Sequence, residues 1–180
     1  MATTEASTPS STSLADAGLL ILRVGVGATM LRAGLRKAFD FDTTVNFMES
    51  GGWRLPEFAA FMVTAAETAG GIGLLLGLLT PLAACAVMAA MIDAWAVNVS
   101  ATAFWAEPFN VPFLIAVGAA ALLFAGAGRY SVDAKIFGNW RVGVRVAVGL
   151  LVVAVAAALL TWTLLNGTNP IHLTAPAGQP

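Results

Sequence analysis

Charge is scarce in this chain. Of 180 residues, 11% are Asp, Glu, Lys or Arg, and 58% are hydrophobic. A soluble domain carries about a quarter charged residues, so an extensive solvated domain is excluded. The formal net charge is −1, which leaves no basic footprint for nucleic acid. Histidine and cysteine are nearly missing, with one of each, His172 and Cys85. A lone cysteine excludes an intrachain disulfide and a Cys-x-x-Cys redox centre. It reads as a small buried hydrophobe. A lone histidine excludes a haem held by two histidines of one chain and argues against a catalytic zinc site built from His and Cys. No metal site is expected. The opening stretch MATTEASTPSSTS has no Lys or Arg, so it lacks the basic region of a signal peptide and reads as an uncleaved, disordered polar tail. Walker, Gly-x-Ser-x-Gly and His-Glu-x-x-His motifs are also missing.

What remains is apolar sequence in long runs, the mark of membrane-spanning helices. Segments are expected at about 15–39, 57–79, 81–104, 109–127 and 142–165, each long enough for a hydrocarbon core of about 30 Å at 1.5 Å per residue. A loop covers 40–56, and a polar loop with GRYSVDAKIFGNWR follows the fourth segment. The turn at Thr80-Pro81 is so short that the second and third segments must be antiparallel neighbours. Trp53, Trp105, Trp140 and Trp162 fall near segment ends, where amphipathic rings favour the interface. Trp95 alone is mid-segment. With the N-terminal side termed A and the opposite side B, the cleaner basic cluster (Arg129, Lys135, Arg141, Arg145) lies on side A. That places side A, and the N-terminus, in the cytoplasm, with the C-terminus outside. Arg141 and Arg145 read as anchors of the fifth segment or contacts to anionic lipid.

Three ionisable residues fall inside these runs. Asp93 lies in AVMAAMIDAWAVNVS (86–100). On a helical projection Ala86, Ala89, Ala90, Ala96 and Ser100 share its face, while Met88, Met91, Ile92, Trp95 and Val99 fall opposite. Small residues let membrane helices approach, and large apolar ones face lipid, so Asp93 is expected to face the bundle interior. Glu67 repeats the pattern among Ala60, Thr64, Gly70 and Gly71. Arg32 shares a face with Gly25, Ala28, Thr29 and Arg36. Counted from the segment ends, all three reach a similar depth, roughly 10–15 Å from side B. An isolated charge near a helix centre costs on the order of 2.5–3.5 kcal/mol, and clustering offsets it. Arg32 is expected to neutralise one carboxylate. The group reads either as a polar network that fixes helix register or as a binding pocket or proton relay. Glu107 and Arg36 are candidates for the pocket mouth, although an interfacial carboxylate and a snorkelling cation need no such role. Lys37 reads as snorkelling too.

Three stretches resemble the DoxX/DoxD family of small bacterial and archaeal membrane proteins. They are LRVGVGATMLRAGLRKAF (22–39), ETAGGIGLLLGLLTPLAA (67–84) and GAGRYSVDA (126–134), together covering roughly residues 19–135. Ala33 stands where many members have histidine, and the fifth segment is an addition to the usual four. The resemblance implies an antiparallel four-helix bundle over 15–135, and the last apolar run adds a fifth transmembrane helix within 136–165, for an all-α polytopic membrane protein. Polar tails at 1–14 and 166–180 flank it. It maps the family's glutamate onto Glu67 and its signature loop onto Arg129, Tyr130, Ser131 and Asp133. That loop reads as structural: glycines end the fourth helix, Ser131 and Asp133 cap or turn the next segment, and Arg129 meets carbonyls or lipid phosphate.

Some relatives are membrane subunits of thiosulfate:quinone oxidoreductases, and others are linked to thiol and oxidative-stress assemblies. The resemblance therefore implies a plasma-membrane subunit of an oxidoreductase complex, without a redox centre of its own, whose Arg32/Glu67/Asp93 pocket meets a quinone. Redox-enzyme subunits or a second copy of the chain would be its partners in the bilayer. A proton-coupled or small-molecule carrier, and a non-catalytic scaffold or lipid-binding protein docking through the fifth segment, are the alternatives.

Overall fold

The computed structural model describes residues 11–138 and 141–174, and every regular element among them is helical. The expected tail up to residue 10 and Trp140 lie outside the described residues. Helix α1 (Ser11–Phe39) is followed by the short α2 (Phe41–Ser50), then α3 (Pro56–Leu76) and α4 (Thr80–Ser100). Helices α5 (Val111–Ala125), α6 (Val132–Phe137) and α7 (Val144–Thr161) complete the chain, and α7 runs on into a π-helical turn, Trp162–Asn166.

Local chemistry sets these ends. Prolines sit in the first turns of α3, α4 and α5, where the missing N–H costs nothing. Asn110 and Ser131 cap α5 and α6 by accepting from the Phe113 and Ala134 N–H groups. Gly77, at φ 64°, closes α3 in the left-handed conformation.

Four helices are long and apolar enough to cross a membrane: Leu14–Phe39, Pro56–Leu76, Thr80–Ser100 and Val144–Asn166. The expected fourth segment corresponds to α5. It is apolar but has only 15 residues, about 22 Å of helix against a core of about 30 Å. Loop 40–56 is not open chain. Asp40 caps α2, and the Thr44/Met48 face of that helix turns inward over α3.

Helix α1 packs along α3 more extensively than any other pair. The two are antiparallel: Gly27 lies against Leu75, Gly71 against Leu31, and Gly34 against Thr68. A Cβ on Gly71 would fall 2.5 Å from the Leu31 backbone nitrogen, so this approach requires glycine. Helix α4 is central, touching α3, α5 and α7. Met88 and Met91, expected to face lipid, are therefore buried, each 3% exposed, in a core with Met30, Leu74, Val87, Leu122 and Leu123. A helix flanked by three others keeps little lipid face for its large residues. A second apolar cluster near side B holds Met48, Trp53, Ala60, Ala96 and Trp162. Trp53 and Trp162 are not interfacial rings but a buried edge-to-face pair, 5.7 Å between centroids. Trp105 is exposed, and Trp95 donates to the Pro108 carbonyl at 2.9 Å.

Candidate functional site

Helix α3 carries small residues on the faces that meet α1 and α4, and Glu67 lies among them, 3% exposed. Its partner is Lys37, near the end of α1. The Lys37 Nζ donates to Glu67 Oε2 at 2.6 Å. Side chains on a helix lean toward its N-terminus. Lys37 on α1 and Glu67 on the antiparallel α3 therefore lean toward one another along the bundle axis.

The cation is not Arg32. Arg32 and Arg36 are exposed, as are Gly25, Ala28 and Thr29 on the same face of α1. The face that meets α3 is instead set by Gly27, Leu31 and Gly34, and Lys37 follows Gly34 by three residues on that stripe. Glu107 is exposed and does not line the cavity, and neither does Arg36.

Glu67 and Asp93 do come together on one cavity. It has a volume of about 480 Å³ and lies between α2, α3, α4 and α7, with Lys37 reaching it from α1. Gly70 lies against Val87 and Gly73 against Ala83, a register that sets Asp93 about one turn, ~5 Å, nearer side B than Glu67. Ala86, Ala89 and Ala90 line the wall around Asp93, as the projection of α4 anticipates. Met48 and Trp53 close the side-B end, and Ala157 and Thr161 of α7 complete the wall. Asp93 is half-buried and makes no hydrogen bond or ion pair with any described residue. The cavity thus holds two acids and one cation, with one acid unpaired.

The C-terminal segment shapes this end of the cavity. Arg54 donates its backbone N–H to the Leu165 carbonyl at 2.7 Å, and the Asn166 side-chain amide donates to the Gly51 carbonyl at 3.0 Å. Gly167 ends the π-helical turn in the left-handed conformation, φ 75°. The loop before α3 is thereby latched to the end of α7.

The signature loop belongs to a different place. Ser131 and Asp133 are buried at the side-A end, while Arg129 and Tyr130 are exposed. Ser131 caps α6. Asp133 accepts from the Leu79 and Thr80 N–H groups at 2.7 and 2.9 Å, so it caps α4 rather than its own segment. Its backbone N–H donates to the Gly77 carbonyl. Arg23 is only 1% exposed and donates to the Ala127 and Tyr130 carbonyls at 2.6 Å each. Asp16 accepts from the Arg129 N–H at 3.0 Å. Arg23 and Asp16 were not visible as site residues, because their partners lie more than a hundred residues away. Among the described residues no group of His, Cys, Asp and Glu could hold a metal ion.

An all-helical chain with four membrane-length helices and a partly charged internal cavity is an integral membrane protein. Residues 18–100 match the model of the DoxX family. The match covers α1 from residue 18 and all of α2 to α4, and so includes Lys37, Glu67 and Asp93; the signature loop at 126–134 lies beyond it. No curated protein and no solved structure matches the chain.

Proposed function

We propose that this DoxX protein is a membrane subunit of an oxidoreductase assembly, and that its cavity receives a lipid-soluble molecule of the quinone class. The observation that carries this reading is the composition of the cavity. Its walls are mostly Ala, Val and Met with Phe47 and Trp53, its neutral polar groups are Asn98 and Thr161, and its charged groups are Lys37, Glu67 and Asp93. Small-molecule sites run from about 300 to 1,000 Å³ and combine apolar walls with a few placed polar groups. The volume and lining here fit a ring bearing carbonyl or hydroxyl groups, with an apolar tail leaving between the helices.

Bound there, such a molecule supplies two-electron, two-proton chemistry, with the electrons coming from a partner subunit. The chain's own part is to bind and to manage protons. Lys37, held by Glu67, presents an ammonium donor. Asp93 has no competing partner and can accept from a hydroxyl or exchange a proton at its carboxyl oxygens. The alanines around Asp93 leave room for the ring, and Trp53 with Met48 shields the acids from side B.

The reading extends to topology. Helix α5 is taken as a fifth, short crossing, its missing length made up by loop residues on either side. Side A lies in the cytoplasm of a plasma membrane, supported by exposed Arg129, Lys135, Arg141 and Arg145.

Native mass spectrometry of the protein extracted in its own lipids tests the ligand. A retained quinone-class molecule is expected, and Asp93→Asn is expected to cut its retention about fivefold, the difference of about 1 kcal/mol between a charge-assisted and a neutral hydrogen bond, with unfolding unchanged. Phospholipid alone in the wild-type protein would sink the proposal and favour a carrier or scaffold.

A further inference from the structure

We propose that a second cavity, at side A, binds the phosphodiester head of an anionic membrane lipid through Arg129 and Arg141. This cavity, about 260 Å³, is lined by Asp16, Gly128, Arg129, Ser131, Asp133 and Arg141, among others. It is separate from the quinone-class site and shares no residue with it.

The acids here are already engaged. Asp16 is 6% exposed and holds the Arg129 backbone N–H. Asp133 is 4% exposed and uses both oxygens on the start of α4. The two arginines on the rim differ. Both are exposed, and neither guanidinium makes a hydrogen bond or ion pair with a described residue. Arg23, outside the lining, is spent on the Ala127 and Tyr130 carbonyls, so the two rim guanidiniums are the cations left to meet an anion. A phosphodiester carries one negative charge, and a guanidinium fork matches two of its oxygens.

The surroundings select a lipid over a free ion. The cavity opens where α1 begins and α5 ends, the level at which headgroups meet a bundle of membrane-length helices. Tyr130, Ile136 and Val144, within three residues of lining positions in the chain, are 57%, 60% and 72% exposed. They offer apolar surface to acyl chains, and Lys135 on α6 adds a further exposed cation. A free phosphate would have no use for that rim.

The test is native mass spectrometry of the full chain in detergent, titrated with phosphatidylglycerol and with phosphatidylcholine. Phosphatidylglycerol is expected to bind about tenfold more tightly, and the pair Arg129→Gln/Arg141→Gln to remove that preference. Arg145→Gln makes the same charge change in the first turn of α7, outside the cavity, and is expected to shift binding less than about twofold. Should the double variant fail to fold, each single variant is expected to lose part of the preference. Undiminished phosphatidylglycerol binding in the arginine variants, an equal loss in Arg145→Gln, or displacement of the lipid by inorganic phosphate would each overturn the proposal.

Discussion

Lys37 and Glu67 form a pair in which the acid is nearly sealed and the base is 30% exposed. Removing one partner of a buried pair leaves a charge without compensation, at about 3–5 kcal/mol when both are sealed. The exposure of Lys37 softens this. Lys37→Met is expected to destabilise the protein by ~2–3 kcal/mol, and Lys37→Met with Glu67→Gln to recover most of the loss, measured by reversible unfolding in detergent. Full stability in the single variant would show that the pair holds nothing together. Glu67 and Asp93 were legible in the sequence because each stands among alanines and glycines in an otherwise apolar helix. The identity of the cation was not. Choosing between Arg32 and Lys37 means knowing which side of α1 meets α3, and α1 offers two small-residue stripes. Gly25, Ala28 and Thr29 lead to Arg32, while Gly27 and Gly34 lead to Lys37. Only the packing decides, and the second stripe meets the glycine of α3 that has no room for a side chain.

At the scale of elements, the start of α4 depends on a residue far along the chain. Leu79 takes a left-handed conformation unusual for leucine, φ 48°, and offers no side-chain cap. The two oxygens of Asp133 satisfy the backbone there. Asp133→Asn keeps the shape but leaves one oxygen for two donors. It is expected to cost about 1–2 kcal/mol, seen as a lower unfolding temperature with the Asp93 cavity still able to bind its ligand. The long helices were readable from hydropathy to within a few residues. Helix α2 was missed although Phe41, Val45 and Met48 already trace one helical face, because ten residues between two long apolar runs look like a connector. The inward methionines of α4 were misread for a related reason. Which face is lipid-facing depends on how many neighbours a helix has, and no single helix carries that number.

For the whole molecule, α7 matters most. It gives Ala157 and Thr161 to the cavity wall, packs on α4 and holds the loop before α3 through the turn that ends at Gly167. An apparent appendage in sequence thus belongs to the same packed unit as the helices of the DoxX match. The proposed topology, with α5 as a fifth crossing, puts the described ends of the chain on opposite sides of the membrane. Fusions of a reporter active only in the cytoplasm are expected to light at the N-terminus and stay dark after residue 174. Signal at both ends would mean that α5 turns back without crossing.

The bond from Asp133 to Thr80 spans 53 residues, and this separation has a meaning in time. A ribosome adding roughly 5–20 residues per second needs about 3–10 seconds to get from Thr80 to Asp133. Throughout that interval the turn from α3 into α4 has been made but is still unfinished, its amides served by water or headgroups at the bilayer surface. The last act of assembly at that end is therefore a late arrival clasping an early turn. A nascent chain halted before residue 133 would carry the whole DoxX match yet lack the clasp that closes it.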